Sequence, residues 1–305
     1  MELELSSRRI RFCAYQYADQ PLDELGRRWK RAEELGFDVL WNCDAINDPD
    51  VPRVPFFEAT SILTAMAIHT STIRVGTLIN SLIFRNPAVV AKAAMTIDHI
   101  SGGRLEFGFG GGVLEADHRN SGVPWWSGSE RVARFREAIH IVDLMFRNEV
   151  TTWSGEYYRV DDVELIPGPV QKPRPPVSIP AHGPKMLRLA AEYADAWSSW
   201  GGYGIETEEQ MFAVTRERSQ LFDDLCAQLE RDPRAIWHSL VVFPPLTPWE
   251  SVEYFLDMVG RYGEIGIDEF VLYWPRKWRD APHEDAVFEE VTREVIPAIR
   301  EGTHQ

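Results

Sequence analysis

The stretch NPAVVAKAAMTIDHISGGRLEFGFGGG, from Asn86 to Gly112, reads as helix, tight turn and strand, with glycines where the strand ends. Pro87 sets φ for a first helical turn behind the N-cap residue Asn86, and Val89, Val90, Ala93, Ala94 and Ile97 recur at helical spacing. Gly102 and Gly103 stop that helix, because a left-handed cap residue is easiest for glycine, and the apolar run from Leu105 then begins a buried strand. That is half of a βαβ unit. The glycines Gly110, Gly111 and Gly112 remove every side chain from the place where α/β proteins bind their ligands, so a flat or bulky molecule is expected against that backbone.

Outward from this unit the same rhythm continues. Strands are expected at 10–17, 39–41, 73–79, 105–110, 177–179, 196–198, 236–243 and 270–272. Helices are expected from Pro21 to Gly36 and at 56–68, 87–100, 129–146, 184–193, 206–229, 249–262 and 284–300. Eight strands alternating with eight helices demand a parallel sheet covered by helices, and this number closes most naturally as an α/β (β/α)8 TIM barrel. A doubly wound sheet is the alternative. Insertions fall after strand 4, at about 113–128, and before strand 5, at about 148–176. The second holds a hairpin around Ser154-Gly155 and an extended proline-rich stretch. No linker divides the chain, so residues 1–305 are expected to form one domain.

Composition narrows the partners. A hydrophobic content of 44% fills a sizeable core, and a net charge of −15 argues against nucleic acid and against anionic membrane surfaces. No apolar run reaches the length of a membrane span and the first nine residues lack a signal-peptide core, so a cytoplasmic protein is expected. Cys13, Cys43 and Cys226 are too few and too scattered for a disulfide framework or a metal cluster.

In a barrel the chemistry sits at the C-terminal ends of the strands. The residues there are Tyr15, Gln16 and Tyr17; Asn42, Cys43 and Asp44; Asn80 and Ser81; the glycines; Ala181, His182 and Gly183 before Pro184; and Ser199, Trp200, Gly201 and Gly202. Pro184 opens a helix whose free N–H groups suit a phosphate, with Lys185 and Arg188 adding charge. This rim is aromatic, glycine-rich and poor in nucleophiles, which fits a planar cofactor better than a hydrolase. A G-x-G-x-x-G match fails at Val113, so no nicotinamide site is indicated. P-loop, H-E-x-x-H and G-x-S-x-G patterns are absent as well.

The segment from Gly76-Thr77 to Asn86-Pro87, the Asp98 to Arg104 turn, the Gly108 to Gly112 run, Trp153 to Tyr158, Pro173 to Pro176 and Leu187 to Trp197 together resemble the bacterial luciferase-like flavin-dependent oxidoreductases. The resemblance covers roughly residues 9–201. It implies a barrel that binds reduced FMN or coenzyme F-420, a small-molecule substrate, and a homodimer or larger assembly. It also implies a non-prolyl cis peptide or bulge at the end of strand 3, which places Leu78, Ile79, Asn80 and Ser81 under the flavin ring, with Thr77 a further cofactor contact. Cofactor contacts carried over are Gly110, Gly111, Gly112, Val113, Ala181, His182, Gly183 and Met186. Tyr15, Tyr17, Trp41 and Trp200 line the expected substrate pocket. Many members have Asp-His after strand 2, where this sequence has Asp44-Ala45. The acid-base candidates therefore become Cys43, Asp44 and Asn80, and the missing imidazole tilts the expectation towards FMN. The expected enzyme is a monooxygenase using reduced FMN and dioxygen, supplied by a separate NAD(P)H:flavin reductase. The alternatives are an F-420-dependent hydride-transfer oxidoreductase and a flavin-binding protein without catalysis.

Several residues carry plainer readings. Asp98 and Arg104 are expected to pair and hold the turn, Cys43 to pack as a small hydrophobe, and His118, His140 and His238 to be structural. Trp197 should pack, Trp125 and Trp126 could form a lid, and Asp223-Asp224 reads as a solvated helix face.

Overall fold

Proline, asparagine and glycine signals place the elements where the sequence expects them. The computed structural model describes residues 10–51, 53–275 and 283–302. In α3 (Pro87–Ile100) the Asn86 side chain accepts from Ala88 N–H at 2.9 Å, and Gly102 beyond the helix has φ 66°. The strand that follows, β5 (Leu105–Gly110), is buried at every position. The remaining strands are β1 (Arg11–Tyr15), β2 (Val39–Asn42), β3 (Arg74–Thr77), the short β4 (Asn80–Ser81), β8 (Val177–Pro180), β9 (Ala196–Ser199), β10 (Trp237–Val242) and β11 (Glu269–Tyr273). Their order is β3-β2-β1-β11-β10-β9-β8-β5, with β3 pairing back onto β5. Eight parallel strands thus form the (β/α)8 barrel, and the doubly wound sheet is excluded.

The chain divides into two compact units. Among the described residues, the first comprises 10–16, 31–40, 181–275 and 283–302. In it β1, β11, β10 and β9 pair in parallel, with Phe12 opposite Phe270 and Ser239 opposite both Ser198 and Glu269. Helices α6 (Pro184–Tyr193), α7 (Glu208–Gln228) and α8 (Val252–Gly263) belong to it. Its core stacks Phe12 on Phe270 with centroids 5.8 Å apart and Trp197 on Phe222 at 4.9 Å, so Trp197 is the packing residue expected. The helix expected at 284–300 is broken into α9 (His283–Glu290), a π turn at Val291–Val295 and α10 (Ile296–Gly302). Pro297 has no N–H for the ladder, and the turn before it widens.

The second unit comprises 17–30 and 41–180. Around β5, Phe107 and Phe109 meet Phe146 and Phe135 of α5 (Gly128–Arg147) at 5.4 Å. The unit also holds α2 (Ala59–His69), α4 (Glu115–Ser121) within the first insertion, and the antiparallel pair β6 (Val150–Ser154) and β7 (Arg159–Glu164) in the second. The second hairpin strand starts later than the β-formers Tyr157 and Tyr158 suggest. The Glu137 carboxylate of α5 accepts the N–H groups of Glu156, Tyr157 and Tyr158 at 2.8, 2.8 and 3.1 Å, so these residues form the turn.

At the foot of β5 the expected Asp98–Arg104 pair is replaced by two separate sets of bonds. Asp98 accepts from the Gln171 backbone and side chain at 3.0 and 2.8 Å, while Arg104 donates to carbonyls of Ala67, Thr70, Ile73 and Ser101. Asp223 also departs from expectation: half-buried, it faces His238 at 3.6 Å, and only Asp224 is exposed.

Candidate functional site

In the second unit, the loop that follows β2 is tied to the end of β3 by charge. Asp44, buried just after β2, accepts the Ser81 N–H at 2.8 Å and both terminal nitrogens of Arg85, at 2.5 and 3.1 Å. Burial raises its pKa, and Arg85 and Ser81 work against that rise. Arg85 also pairs with Glu58, whose carboxylate caps α2 through Thr60 and Ser61 N–H. Burial raises the Glu58 pKa, but the Ser61, Arg85 and Thr60 hydrogen bonds outweigh it and hold the group down at about 2. Asn80 donates its amide N–H to the Gly108 carbonyl at 2.9 Å. Of the three acid-base candidates, Asp44 and Asn80 therefore hold backbone in place, and Cys43, directly before Asp44, is half-buried rather than fully packed.

The peptide between Leu78 and Ile79 is cis, at the position the resemblance implies. β3 ends at Thr77 and β4 resumes at Asn80, pairing with Phe109 and Gly110. The glycines opposite this break serve the protein's own packing first. A β-carbon on Gly108 would lie 2.1 Å from the Thr77 carbonyl oxygen, one on Gly110 would lie 1.9 Å from the Ile79 side chain, and one on Gly112 would lie 2.8 Å from Ile83. Gly111 alone of this run leaves room, with its nearest neighbour, the Arg131 carbonyl, at 3.5 Å. So the molecule expected against the glycine backbone is in large part Thr77 and Ile79, while Val113 just beyond is exposed.

Three polar atoms at the ends of β2 and β3 are buried without a hydrogen-bond partner among the described residues: Trp41 Nε1, Asn42 Oδ1 and Thr77 Oγ1. Such groups are costly unless something satisfies them. The Trp41 ring packs where a Gly76 side chain would stand, so it is wedged in the core, and Tyr17 tilts against Phe56 at 6.3 Å. Sequence reasoning missed Arg85 and Asp117. Arg85 stands just before an N-cap, where a helix dipole disfavours a cation, and that placement is the one signal that it serves a buried partner. Asp117 of α4 is buried and accepts the Ile46 N–H at 3.1 Å, one residue past Ala45; burial and the nearby Asp44 raise its pKa. His118 beside it is structural, as expected: it bonds the Pro124 carbonyl and packs edge-on against Trp125 and Trp126.

In the first unit, Ala181 is fixed at the end of β8. Its N–H reaches the Ser198 carbonyl at 3.1 Å and its own carbonyl accepts Trp197 Nε1–H at 2.9 Å. His182 follows, then Gly183 as an N-cap with no side-chain capping bond, and Met186 half-buried in the first turn of α6. Trp200 packs on His182 at 5.6 Å and on Tyr203 at 5.1 Å, and Tyr15 meets Phe243 edge-on. Burial, and then the charge of Arg218, push the His182 pKa down to about 4. Because the folded value lies below the ordinary imidazole value of 6.5, the contribution of His182 to stability is present above that pH and is lost as pH falls towards 4. An NMR titration of the His182 ring is expected to show a midpoint near 4; a midpoint near 6.5 would overturn the burial argument.

Fold and site together define a luciferase-like barrel, and the sequence profile of the luciferase-like monooxygenase family matches residues 7–227. The chain belongs to that family and is an oxidoreductase of it. It is 32% identical over 233 residues to an F420-dependent glucose-6-phosphate dehydrogenase from Intrasporangium calvum, covering 71% of this chain and 69% of the relative. It is 34% identical to the 5,10-methylenetetrahydromethanopterin reductase of Archaeoglobus fulgidus over 58% of this chain, spanning about half (49%) of that relative. Among solved structures, an F420-dependent secondary alcohol dehydrogenase in complex with an F420-acetone adduct superposes with a TM-score of 0.80 at 19% identity, covering 96% of this chain and 99% of the other; at that identity the likeness shows the fold.

These relatives correct the functional expectation. The FMN-dependent monooxygenase with a separate flavin reductase is overturned, because relatives matched across most of the chain are F420-dependent dehydrogenases. Ala45 in place of histidine was one position set against the similarity of the whole sequence. Among the described residues no helix is long and apolar enough to cross a membrane, and no group of three or more His, Cys, Asp or Glu could hold a metal ion.

Proposed function

We propose that this chain transfers hydride between coenzyme F-420 and a small organic substrate. The observation that carries the reading is its similarity to F420-dependent glucose-6-phosphate dehydrogenase over more than two thirds of both sequences. The residues present fit such a cofactor. Trp41 Nε1, Asn42 Oδ1 and Thr77 Oγ1 are buried with no polar partner among the described residues, and Gly111 is half-exposed. On this reading Leu78 to Ser81 of the second unit lie at the ring, with Gly111 and Val113 of the same unit as further cofactor contacts. A bound deazaflavin supplies the two-electron hydride chemistry. With Asp44 committed to Arg85 and Ser81, the group best suited to hold a proton near Ala45 is Asp117, whose pKa is raised by burial; Cys43 is the other candidate.

The test is an anaerobic fluorescence titration with F-420, with reduced FMN as control, followed by a hydride-transfer assay on the bound deazaflavin. Saturable F-420 binding with substrate-dependent bleaching is expected; no F-420 binding overturns the reading. Tight binding without turnover on any substrate would favour the non-catalytic alternative that Ala45 raises. Gly111→Ala should fold, since its β-carbon would meet nothing nearer than the Arg131 carbonyl at 3.5 Å, and a weakened F-420 affinity is expected in it. Unchanged affinity in that variant removes Gly111 from the site.

A further inference from the structure

On α7 the residues Met211, Thr215 and Phe222 are buried, and Arg218 falls on the same stripe. Its Nη1 donates to Ser199 Oγ at 3.2 Å and to the Gly201 carbonyl, both at the C-terminal end of β9. A guanidinium has five N–H donors, and among the described residues these two bonds leave Nε and Nη2 unused. No carboxylate pairs with Arg218 among the described residues; Glu217 acts on it only at a distance, and burial lowers its pKa. A half-buried cation with only neutral acceptors is an incomplete arrangement.

The unused donors converge with a second group. The Trp200 N–H points to His182 Nε2 at 3.5 Å, so the neutral ring carries its proton on Nδ1. From the point where a Gly202 β-carbon would stand, His182 Nδ1 is 3.4 Å away and Arg218 Nη2 is 3.7 Å away. Gly202 has φ 116°, a backbone that favours glycine, so no side chain fills the space between the donors. Gly183, opening the uncapped α6, has nothing within 4 Å of its β-carbon position either.

We propose that Arg218, with His182 Nδ1–H, forms an oxyanion subsite over Gly202 that takes a phosphate or carboxylate group. The chemistry has two sources, the anionic chain of F-420 or an anionic substrate. The first rests on the hydride-transfer reading; the second does not require it.

The experiment compares wild type with Arg218→Met and Arg218→Lys, using Arg216→Met, an exposed neighbour on α7, as control. Inorganic phosphate is titrated by calorimetry onto each protein, with and without saturating F-420. F-420 and its riboside lacking phosphate and the glutamyl tail are titrated by fluorescence. Loss of a charged hydrogen-bonding partner should weaken anion binding about 10- to 100-fold in Arg218→Met, with partial recovery in Arg218→Lys. A loss for F-420 but not for the riboside identifies the cofactor as the source. Phosphate binding that persists in F-420-saturated wild type and disappears in Arg218→Met identifies a substrate anion. Phosphate and F-420 affinities in Arg218→Met equal to those of wild type, including none in both, overturn the assignment. If wild type binds neither F-420 nor the riboside, the hydride-transfer reading falls while the phosphate titration still decides on Arg218.

Discussion

Replacing Arg85 with methionine is expected to lower stability by about 3–5 kcal/mol in urea unfolding at neutral pH, the range for removing one partner of a buried ion pair. The side chains of Asp44 and Arg85 are only 3% and 15% exposed, so the carboxylate left behind cannot be rescued by bulk water. The Ser81 N–H remains as its polar partner among the described residues, and Glu58 loses a cation at the start of α2. The pH dependence follows from Asp44. Its folded pKa is raised above the ordinary carboxylate value of 3.8 by burial, so its ionised form disfavours the fold; that cost is absent at low pH and appears as pH rises through the folded value. Without Arg85 the cost grows, and the deficit of the variant should be largest at pH 7 and shrink towards pH 4. The double variant Asp44→Asn/Arg85→Met should recover part of the loss, because no unpaired charge remains. A deficit below about 1 kcal/mol, or one flat with pH, would show that the pair is water-screened.

Gly108→Ala is the second large effect. The new methyl would lie 2.1 Å from the Thr77 carbonyl oxygen and 3.2 Å from the Thr77 carbonyl carbon, and backbone cannot swing aside as a side chain can. The end of β3 must move off β5, which also breaks the Asn80 bond to the Gly108 carbonyl. A cost at or above the upper end of the usual overpacking range, about 3 kcal/mol, is expected. F-420 affinity should fall with it, because Leu78 to Ser81 shift together. Gly111→Ala is the control, with its β-carbon 3.5 Å or more from any neighbour, and should change stability by less than about 1 kcal/mol. Equal effects at the two positions would contradict the packing described for Thr77.

Both arguments concern contacts that no local pattern announces. Asp44 and Arg85 are 41 residues apart, and Asn80 and Gly108 are 28 apart. The sequence placed Asp44, Asn80 and the glycines at strand ends, which is where they are, but could not say that two of them are tied to backbone. Arg218 was not picked out from the sequence, although Met211, Thr215, Arg218 and Phe222 follow helical spacing on a stripe that the structure buries. Arg216, two residues earlier, falls off that stripe and is exposed. Nothing in the sequence tells whether an arginine on a buried stripe meets a carboxylate or an open space. The late start of β7 has the same origin: Glu137 lies 19 to 21 residues before the N–H groups it captures.

The sequence by itself determined the alternation of strands and helices and hence the barrel, because those signals are local: Asn86 and Pro87 at a helix start, Gly102 after its end, a continuous apolar run in β5. Tertiary structure alone decided what fills the space beside the glycines, which carboxylate is neutralised and which cation is left with open donors. Those outcomes depend on the distances between segments far apart in the chain, and the burial that sets their charge energetics exists only once the segments have packed.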